Sequence, residues 1–319
     1  MKLTCLVAII TASGVISSVQ AAETPPSWAY PMNPPGFKPA PDDGSLRTVP
    51  GSSATFSLTQ LRDLFAAPDW HPQDHPPMPE IVARGRKPVV QACGVCHRVG
   101  GTGGPENSSL AGLPSEYIAQ QMRDFKSGAR KTAVANRVPA KLMMALSQHV
   151  TDAEIDESAR YFSSLKFNRI VTVRESETVP KTEVSAWYLV PSATKETEPI
   201  GQRIIEVAEN VQRFANRDSR VTFVAYVPVG SIEKGRNLAT TGGGGKTVAC
   251  ASCHGTDLKG LASVPGIASR PPTYAFRQLY EFKHGMRAGP GSAQMRPSVE
   301  NLTTEDMIAL VAYAASLEP

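Results

Sequence analysis

Apolar and polar positions recur at helical spacing in two separate parts of the chain. Tyr117, Gln121 and Phe125 stand at i, i+4 and i+8, so they line one face of a predicted helix. Thr151 and Thr303 each open a capping box of the T-x-x-[E/D] type, followed by an amphipathic pattern. The pattern therefore predicts a helix after each capping box, near residues 151–165 and 303–317.

The stretch 169–225 has a different pattern. RIVTVRE, SAWYLVP and VTFVAY are rich in β-branched and aromatic residues, which predicts strands, and GQRIIEVAENV fits either a helix or a strand. We expect this stretch to be an ordered connector with some β-structure. Residues 22–76 are rich in proline and predict an extended chain over the surface, with one short helix near SLTQLRDLF.

The two helical parts are copies of one unit. A shift of 157 residues superposes nine identical positions without a gap over 38 residues, and beyond that helix the shift becomes 152. The sequence therefore predicts two domains, residues 77–168 and 226–319, each a small bundle of at least three helices. The nine positions are Cys93, Cys96, His97, Tyr117, Gln121, Phe125, Lys126, Gly128 and Arg130, matched by Cys250, Cys253, His254, Tyr274, Gln278, Phe282, Lys283, Gly285 and Arg287.

Residues 1–21 have the pattern of a cleavable export signal. Lys2 precedes an apolar run from Leu3 to Val19, and small residues surround a cleavage point after Ala21. An uncleaved leader would instead tether the chain. Elsewhere, apolar runs are too short to cross a bilayer, so we expect a periplasmic chain with no transmembrane span after cleavage.

Four of the five cysteines lie in two copies of a C-x-x-C-H motif, CGVCH at 93–97 and CASCH at 250–254. A C-x-x-C pair alone is compatible with a disulfide, a redox dithiol or half of a zinc site. The histidine directly after the second cysteine favours covalent attachment of a c-type haem, with both thiols bound to the haem vinyl groups and the histidine on the iron. We therefore predict two covalent haems, held by Cys93 and Cys96 with His97, and by Cys250 and Cys253 with His254.

These motifs, in two copies, resemble class I cytochrome c domains, and the tandem arrangement resembles dihaem cytochromes c of the bacterial periplasm. The resemblance implies a mainly α fold in which the first and last helices of each domain cross. It also implies that a methionine, from the loop before the last helix, is the second axial ligand of each iron. Under the 152-residue shift Met143 matches Met295, and Met144 is the alternative in the first domain.

The chain has six histidines, and four of them compete with the methionines as axial ligands. His149 and His284 stand at positions that are not equivalent in the two copies, and we expect them at the solvated surface. His71 and His75 lie in the proline-rich segment DWHPQDHPP, which predicts a loop. These positions leave the methionines as the predicted ligands.

Charge gives a limited indication of partners. Without Lys2 the chain has 32 basic and 29 acidic residues, and haem propionates bring it close to neutrality, so the composition does not indicate nucleic-acid binding. Residues 126–141 contain basic residues and no acidic residue, which is typical either of a solvated face or of a docking surface for an acidic partner. The basic residues are Lys126, Arg130, Lys131, Arg137 and Lys141.

The sequence thus predicts an electron carrier without catalytic residues, a periplasmic dihaem cytochrome c that passes single electrons between redox partners. A related interpretation is that the chain is the cytochrome subunit of a dehydrogenase or oxidase complex. The alternative is a dihaem enzyme, either a peroxidase or a small-molecule dehydrogenase, in which one iron is open. His/Met ligation of both irons favours the carrier, because it raises the reduction potential and closes the iron.

Overall fold

The computed structural model describes residues 24–319, and the predicted leader lies outside this part of the chain. None of the helices within residues 24–319 combines the length and the apolar character needed to span a bilayer. The helices are α1 (Leu58–Arg62), α2 (Glu80–Ala83), α3 (Cys93–His97), α4 (Ser115–Ser127), α5 (Val138–Ser147), α6 (Asp152–Ser164), α7 (Val211–Ala215), α8 (Ser231–Thr241), α9 (Ala251–His254), α10 (Pro272–Lys283), α11 (Ser292–Val299) and α12 (Thr304–Ser316). The strands are β1 (Val171–Glu175), β2 (Thr178–Pro180), β3 (Thr182–Ser185), β4 (Tyr188–Pro191), β5 (Thr197–Pro199), β6 (Ile205–Ala208) and β7 (Phe223–Val227).

In the first helical part, α4 packs against α5 and α6. α4 ends where Gly128 adopts a φ of 76°, a left-handed conformation that favours glycine. α6 begins at the predicted capping box, since Thr151 Oγ1 accepts a hydrogen bond from the Glu154 amide and the Glu154 carboxylate accepts one from the Thr151 amide. Ile155 and Phe162 on α6 are buried, so the amphipathic helix predicted here is confirmed.

The second helical part has α12 packed against α8 and α10. α12 also begins at its capping box, between Thr303 and Asp306. Gly235 allows α8 and α12 to approach closely, because a Cβ at this position would collide with the Ala309 carbonyl. The first and last helices of this part therefore pack closely against each other.

The stretch between the two parts contains strands, as predicted. β7 lies at the centre of a three-stranded sheet, with β1 parallel to it and β6 antiparallel, while β2–β5 and β3–β4 form two-stranded pairs. The ambiguous segment GQRIIEVAENV contributes strand β6 and the first residue of α7. β1 packs against α12, so the connector is joined to the second helical part through its sheet.

The proline-rich segment is partly buried, which corrects the expectation of a chain that only runs over the surface. The predicted short helix is present as α1, capped by Ser57. Trp70 is buried against Phe56, and its indole N–H donates to the Asn216 carbonyl at 2.7 Å. Near the beginning of the described chain, Trp28 packs on Phe276 of α10 with ring centroids 4.6 Å apart. The proline-rich segment thus has its own small apolar cluster around Trp70, which is joined to the connector by a hydrogen bond, while Trp28 packs on the second helical part.

Candidate functional site

Each C-x-x-C-H motif forms one short helix. The first motif is α3, and the second is the αR residue Cys250 followed by α9. Within residues 24–319 the four motif cysteines form no disulfide, and as free thiols Cys93 and Cys250 would have a pKa raised by burial, to about 12 and about 11. Thiols of such high pKa lack the thiolate character of a redox dithiol.

The two motif histidines are oriented in the same way. His97 Nδ1 lies 2.8 Å from the Ser108 carbonyl oxygen, and His254 Nδ1 lies 2.8 Å from that of Pro265. Each carbonyl therefore comes eleven residues after its histidine, in the same register of the repeat. A ring held through Nδ1–H leaves Nε2 for a metal. Burial lowers the pKa of both imidazoles, which favours the neutral form that binds metals.

The predicted methionines lie on short helices, which corrects the expectation that they lie in loops. Met143 is on α5 and Met295 is on α11. Met143 lines a cavity in the first helical part together with Cys93, Cys96 and His97, whereas Met144 is not part of the cavity wall. In the second part, Met295 and Cys250 pack against the same apolar cluster.

The cavity beside α3 has an apolar wall and a polar wall. Apolar side chains of the first helical part enclose it, while four polar side chains reach it from α10 of the second part. The cavity is therefore completed by both copies of the repeat. The apolar wall includes Val90, Ile118, Met122, Phe125, Leu146, Val150, Ile155 and Phe162, and the four residues from α10 are Tyr274, Arg277, Gln278 and Glu281.

A symmetric hydrogen-bond network joins the two copies. Arg130 and Arg287, which are equivalent in the repeat, face each other in an isolated antiparallel bridge. Arg130 donates to Gln121 at 3.0 Å and to Gln278 at 2.9 Å, and Arg287 donates to Gln278 at 3.2 Å and to Gln121 at 2.6 Å. Each guanidinium also lies over the phenylalanine of its own copy. Of the repeated positions noted in the sequence, the tyrosine, glutamine, phenylalanine and arginine pairs are thus residues of this interface.

The basic stretch 126–141 is only partly a surface, which corrects its interpretation as a row of five exposed cations. Lys126, Lys131 and Lys141 are exposed, but Arg130 and Arg137 are buried. Arg130 is enclosed because the chain pairs there with the segment around Arg287. Arg137 is enclosed because it precedes α5, where its guanidinium approaches the carbonyls of Glu106 and Trp187. Burial lowers the pKa of Arg137 to about 9, so it stays charged at neutral pH.

The remaining histidines differ from one another in their surroundings. His149 is exposed as expected, whereas His284 is half-buried and packs on Tyr280 with ring centroids 4.1 Å apart. His71 Nε2 is 3.1 Å from the Asp218 carboxylate, and His75 Nε2 is 3.2 Å from that of Asp69. These hydrogen-bond contacts hold the two histidines in the folded proline-rich segment.

Two segments of the chain match the sequence model of the cytochrome c family, residues 82–166 and 232–318. Together they make up more than half of the chain. The chain belongs to the cytochrome c family. Each of its two family domains contains one C-x-x-C-H motif.

Relatives of this cytochrome align over most of its length. It is 25% identical, over 72% of its own chain and 80% of the relative, to the thiosulfate dehydrogenase electron acceptor of Thiomonas intermedia. It is 23% identical, over 70% of its chain and 83% of the relative, to cytochrome c4 of Pseudomonas aeruginosa. The solved structure of thiosulfate dehydrogenase from Marichromatium purpuratum, in its as-isolated form, is similar with a TM-score of 0.46 at 23% identity. That alignment covers 72% of this cytochrome and 37% of the longer chain.

These comparisons show a cytochrome c that carries electrons and has two covalently bound c-type haems. The first cavity fits such a group. Its apolar wall suits the porphyrin faces, and His97 keeps Nε2 free of the hydrogen bond to Ser108. The interface arginines, Arg130 and Arg287, are buried against neutral tyrosine and glutamine oxygens, an environment with remaining capacity for anionic propionates.

The two motifs differ in how much of the chain covers them. In the first, the Ala92 amide donates to the Leu64 carbonyl at 2.9 Å, and Arg217 donates to the Val95 carbonyl at 2.9 Å. The proline-rich segment and the connector therefore cover α3 of the cytochrome, and Cys96 is half-buried. In the second motif, Cys253 is exposed.

Proposed function

We propose that this cytochrome is the electron acceptor of a periplasmic dehydrogenase and passes single electrons on without transforming a substrate itself. The names of two relatives support this role, since one is a thiosulfate dehydrogenase electron acceptor and another is the cytochrome subunit of sulfide dehydrogenase in Chlorobaculum tepidum. A dehydrogenase that oxidises an inorganic sulfur compound is therefore the first donor to test. The export pattern of residues 1–21 supports the periplasm.

The proposed haem ligands follow from the two sites. Cys93 and Cys96 would attach the first haem, and His97 and Met143 would hold its iron. The shared cavity of these four side chains is the single observation that carries the proposal.

The second site follows by the repeat. Cys250 and Cys253 would attach the haem there, and His254 and Met295 would hold its iron. Two irons closed by protein ligands favour electron transfer over reaction with a small molecule. The proposed domains are residues 77–168 and 226–319.

The bound haem iron supplies the chemistry by accepting and releasing one electron. The protein orients the group and excludes water from it. The Ser108 and Pro265 carbonyls fix the orientation of the histidine rings, and the apolar wall of the first cavity would keep the haem there in a low dielectric. Arg130 and Arg287 lie at the interface of the two copies, where their guanidinium groups would hold haem propionates.

The exposed lysines of the stretch 126–141 are proposed to attract an acidic partner. Lys131 also lines the rim of the first cavity, so a partner that binds there approaches the first site. Complementary charge mainly accelerates the encounter of two proteins.

A direct experiment combines haem content with reactivity. Purified holoprotein should contain two haems per chain by intact mass and haem staining. It should be reduced in stopped-flow mixing by a thiosulfate-oxidising dehydrogenase supplied with thiosulfate. The reduced protein should bind carbon monoxide slowly and should not turn over peroxide. Rapid carbon monoxide binding together with peroxidase turnover would instead establish the enzyme alternative.

A further inference from the structure

Helices α4 and α10 are equivalent in the repeat, and each reaches towards the site of the other domain. Arg277 and Glu281 of α10 line the cavity of the first site. The residues at the same positions of α4 are Gln120 and Asp124. The Asp124 carboxylate packs against Gly289, in the segment that leads to α11 and Met295. The same two positions therefore place different charges beside the two sites.

Arg277 is a buried cation whose partners are backbone oxygens. It is 3% exposed and donates to the carbonyls of Ala29 at 2.9 Å and Pro105 at 2.6 Å. Its equivalent Gln120 is neutral and donates to Asp124 at 2.7 Å. The first site has an arginine where the second has an amide.

A second buried arginine, Arg137, lines the first cavity. Under the 152-residue shift, the position of Arg137 is taken by Gly289 in the second domain. Arg130 and Arg287 are equivalent, so they add the same charge to the two sites.

The buried carboxylates reduce this difference but do not cancel it. Arg98 is 3.6 Å from Glu106, and this pair adds no net charge. Glu281 opposes one of the two arginines, Arg137 and Arg277, and receives a hydrogen bond from Tyr30 at 3.4 Å. Apart from the equivalent Arg130 and Arg287, the first site thus keeps an excess of buried positive charge, whereas the matching positions beside the second site carry only the Asp124 carboxylate.

Reduction of a haem adds one electron, so a nearby positive charge stabilises the reduced form. Buried charges have the largest effect on the reduction potential, because water and salt screen exposed charges. The screening length is about 10 Å at 0.1 M salt. We propose that Arg277 and Arg137 give the first haem site a higher reduction potential than the second. An electron that arrives at the second site is then drawn to the first. This inference rests on the proposed function, since it requires two redox-active haems in one chain.

The test is a spectroelectrochemical titration of the holoprotein at pH 7. We expect two one-electron waves, assigned by M143A and M295A, each of which displaces the wave of one site. In R277Q, which copies the amide of Gln120, the first-site wave should move to a lower potential and the separation of the waves should shrink. In R277K, which keeps the positive charge, the wave should stay close to its original position. In Q120R, the second-site wave should rise.

The matched control is K131Q, which removes an exposed cation from the rim of the same cavity and should leave both waves nearly unchanged. The inference is overturned if the second-site wave lies at the higher potential, or if R277Q and R277K shift the first wave equally. Should R277Q fail to fold, the sign of the Q120R shift decides the inference, and a lowered or unmoved second-site wave rejects it. Loss of one or both haem waves in the unaltered protein would reject the proposed function itself.

Discussion

Arg130 and Arg287 each donate to both Gln121 and Gln278, so four side chains from equivalent positions close one network across the domain interface. The main chain supports the same contact, because the Lys131 amide donates to the Met286 carbonyl at 2.7 Å and the Ala288 amide donates to the Ala129 carbonyl at 2.7 Å. A repeat that contacts itself at equivalent positions has local two-fold symmetry.

Replacing Arg130 with alanine should reduce the free energy of unfolding by about 2–4 kcal/mol, because it removes a buried guanidinium together with its hydrogen bonds to Gln121, Gln278 and Tyr274. The measurement is urea denaturation of the holoprotein, followed by haem absorbance and tryptophan fluorescence. R123A, on the preceding helix α4, is the matched control, since Arg123 makes an exposed ion pair with Asp156 and its replacement should cost less than about 1 kcal/mol. Equal losses for R130A and R123A would contradict a structural role for the network.

The contrast between the two arginines shows what sequence could and could not predict. The shift of 157 residues identified Arg130 and Arg287 as equivalent, since identity at a fixed spacing can be seen in sequence. That the two meet depends on how the domains dock, which a repeat does not specify. Arg137 was predicted at the surface because its neighbours include no acidic residue, but backbone carbonyls from distant segments enclose it.

Element types were more predictable than burial. The capping boxes at Thr151 and Thr303 begin α6 and α12 as predicted, because side-chain capping is a local interaction. The burial of Trp70 was not predicted, since the proline-rich composition around it is typical of extended surface chain. Its contact with Asn216 joins segments 146 residues apart, and such contacts leave little signal in one sequence.

Axial ligation predicts a specific spectroscopic loss. In the oxidised protein, M143A and M295A should each remove about half of the red-region absorption from methionine-to-iron charge transfer, because each removes one of two axial sulfur ligands. M144A is the matched control and should keep the full band, since Met144 is not part of the cavity wall. If M143A keeps the full band and M144A loses half of it, the ligand of the first site is Met144 and not Met143.

Glu206 predicts a dependence of stability on pH. Its carboxyl accepts a hydrogen bond from the Thr273 amide at 3.0 Å, and burial raises its pKa from 4.5 to about 7. The folded state therefore holds this proton more tightly than the unfolded state. The contribution of the Glu206 carboxyl to the free energy of unfolding is fully present below pH 4.5, and it is lost as the pH rises to about 7.

The variant E206Q is neutral at every pH and should lack this loss. Relative to the original protein, it should gain stability between pH 5 and pH 8, by an amount on the order of 1–3 kcal/mol. The measurement is urea denaturation at these two pH values. The control is E209Q in the same connector, because Glu209 is exposed. A pH-independent difference between E206Q and the original protein would show that Glu206 does not titrate in this range.

The exposed lysines predict how association depends on salt. K131E and K141E reverse charges in the stretch 126–141 without touching the buried Arg137, whose replacement would disturb the cavity. At low salt, the double variant should be reduced about tenfold more slowly by an acidic donor, because complementary charge accelerates the encounter. The difference in rate should narrow as ionic strength rises, since salt screens exposed charges over roughly 10 Å at 0.1 M.

The measurement is stopped-flow reduction by the reduced dehydrogenase across a salt series, with K166E as an exposed control outside the stretch. Equal slowing by K166E would indicate a general effect of net charge, and rates independent of salt would direct the search for the docking surface to the exposed second motif around Cys253.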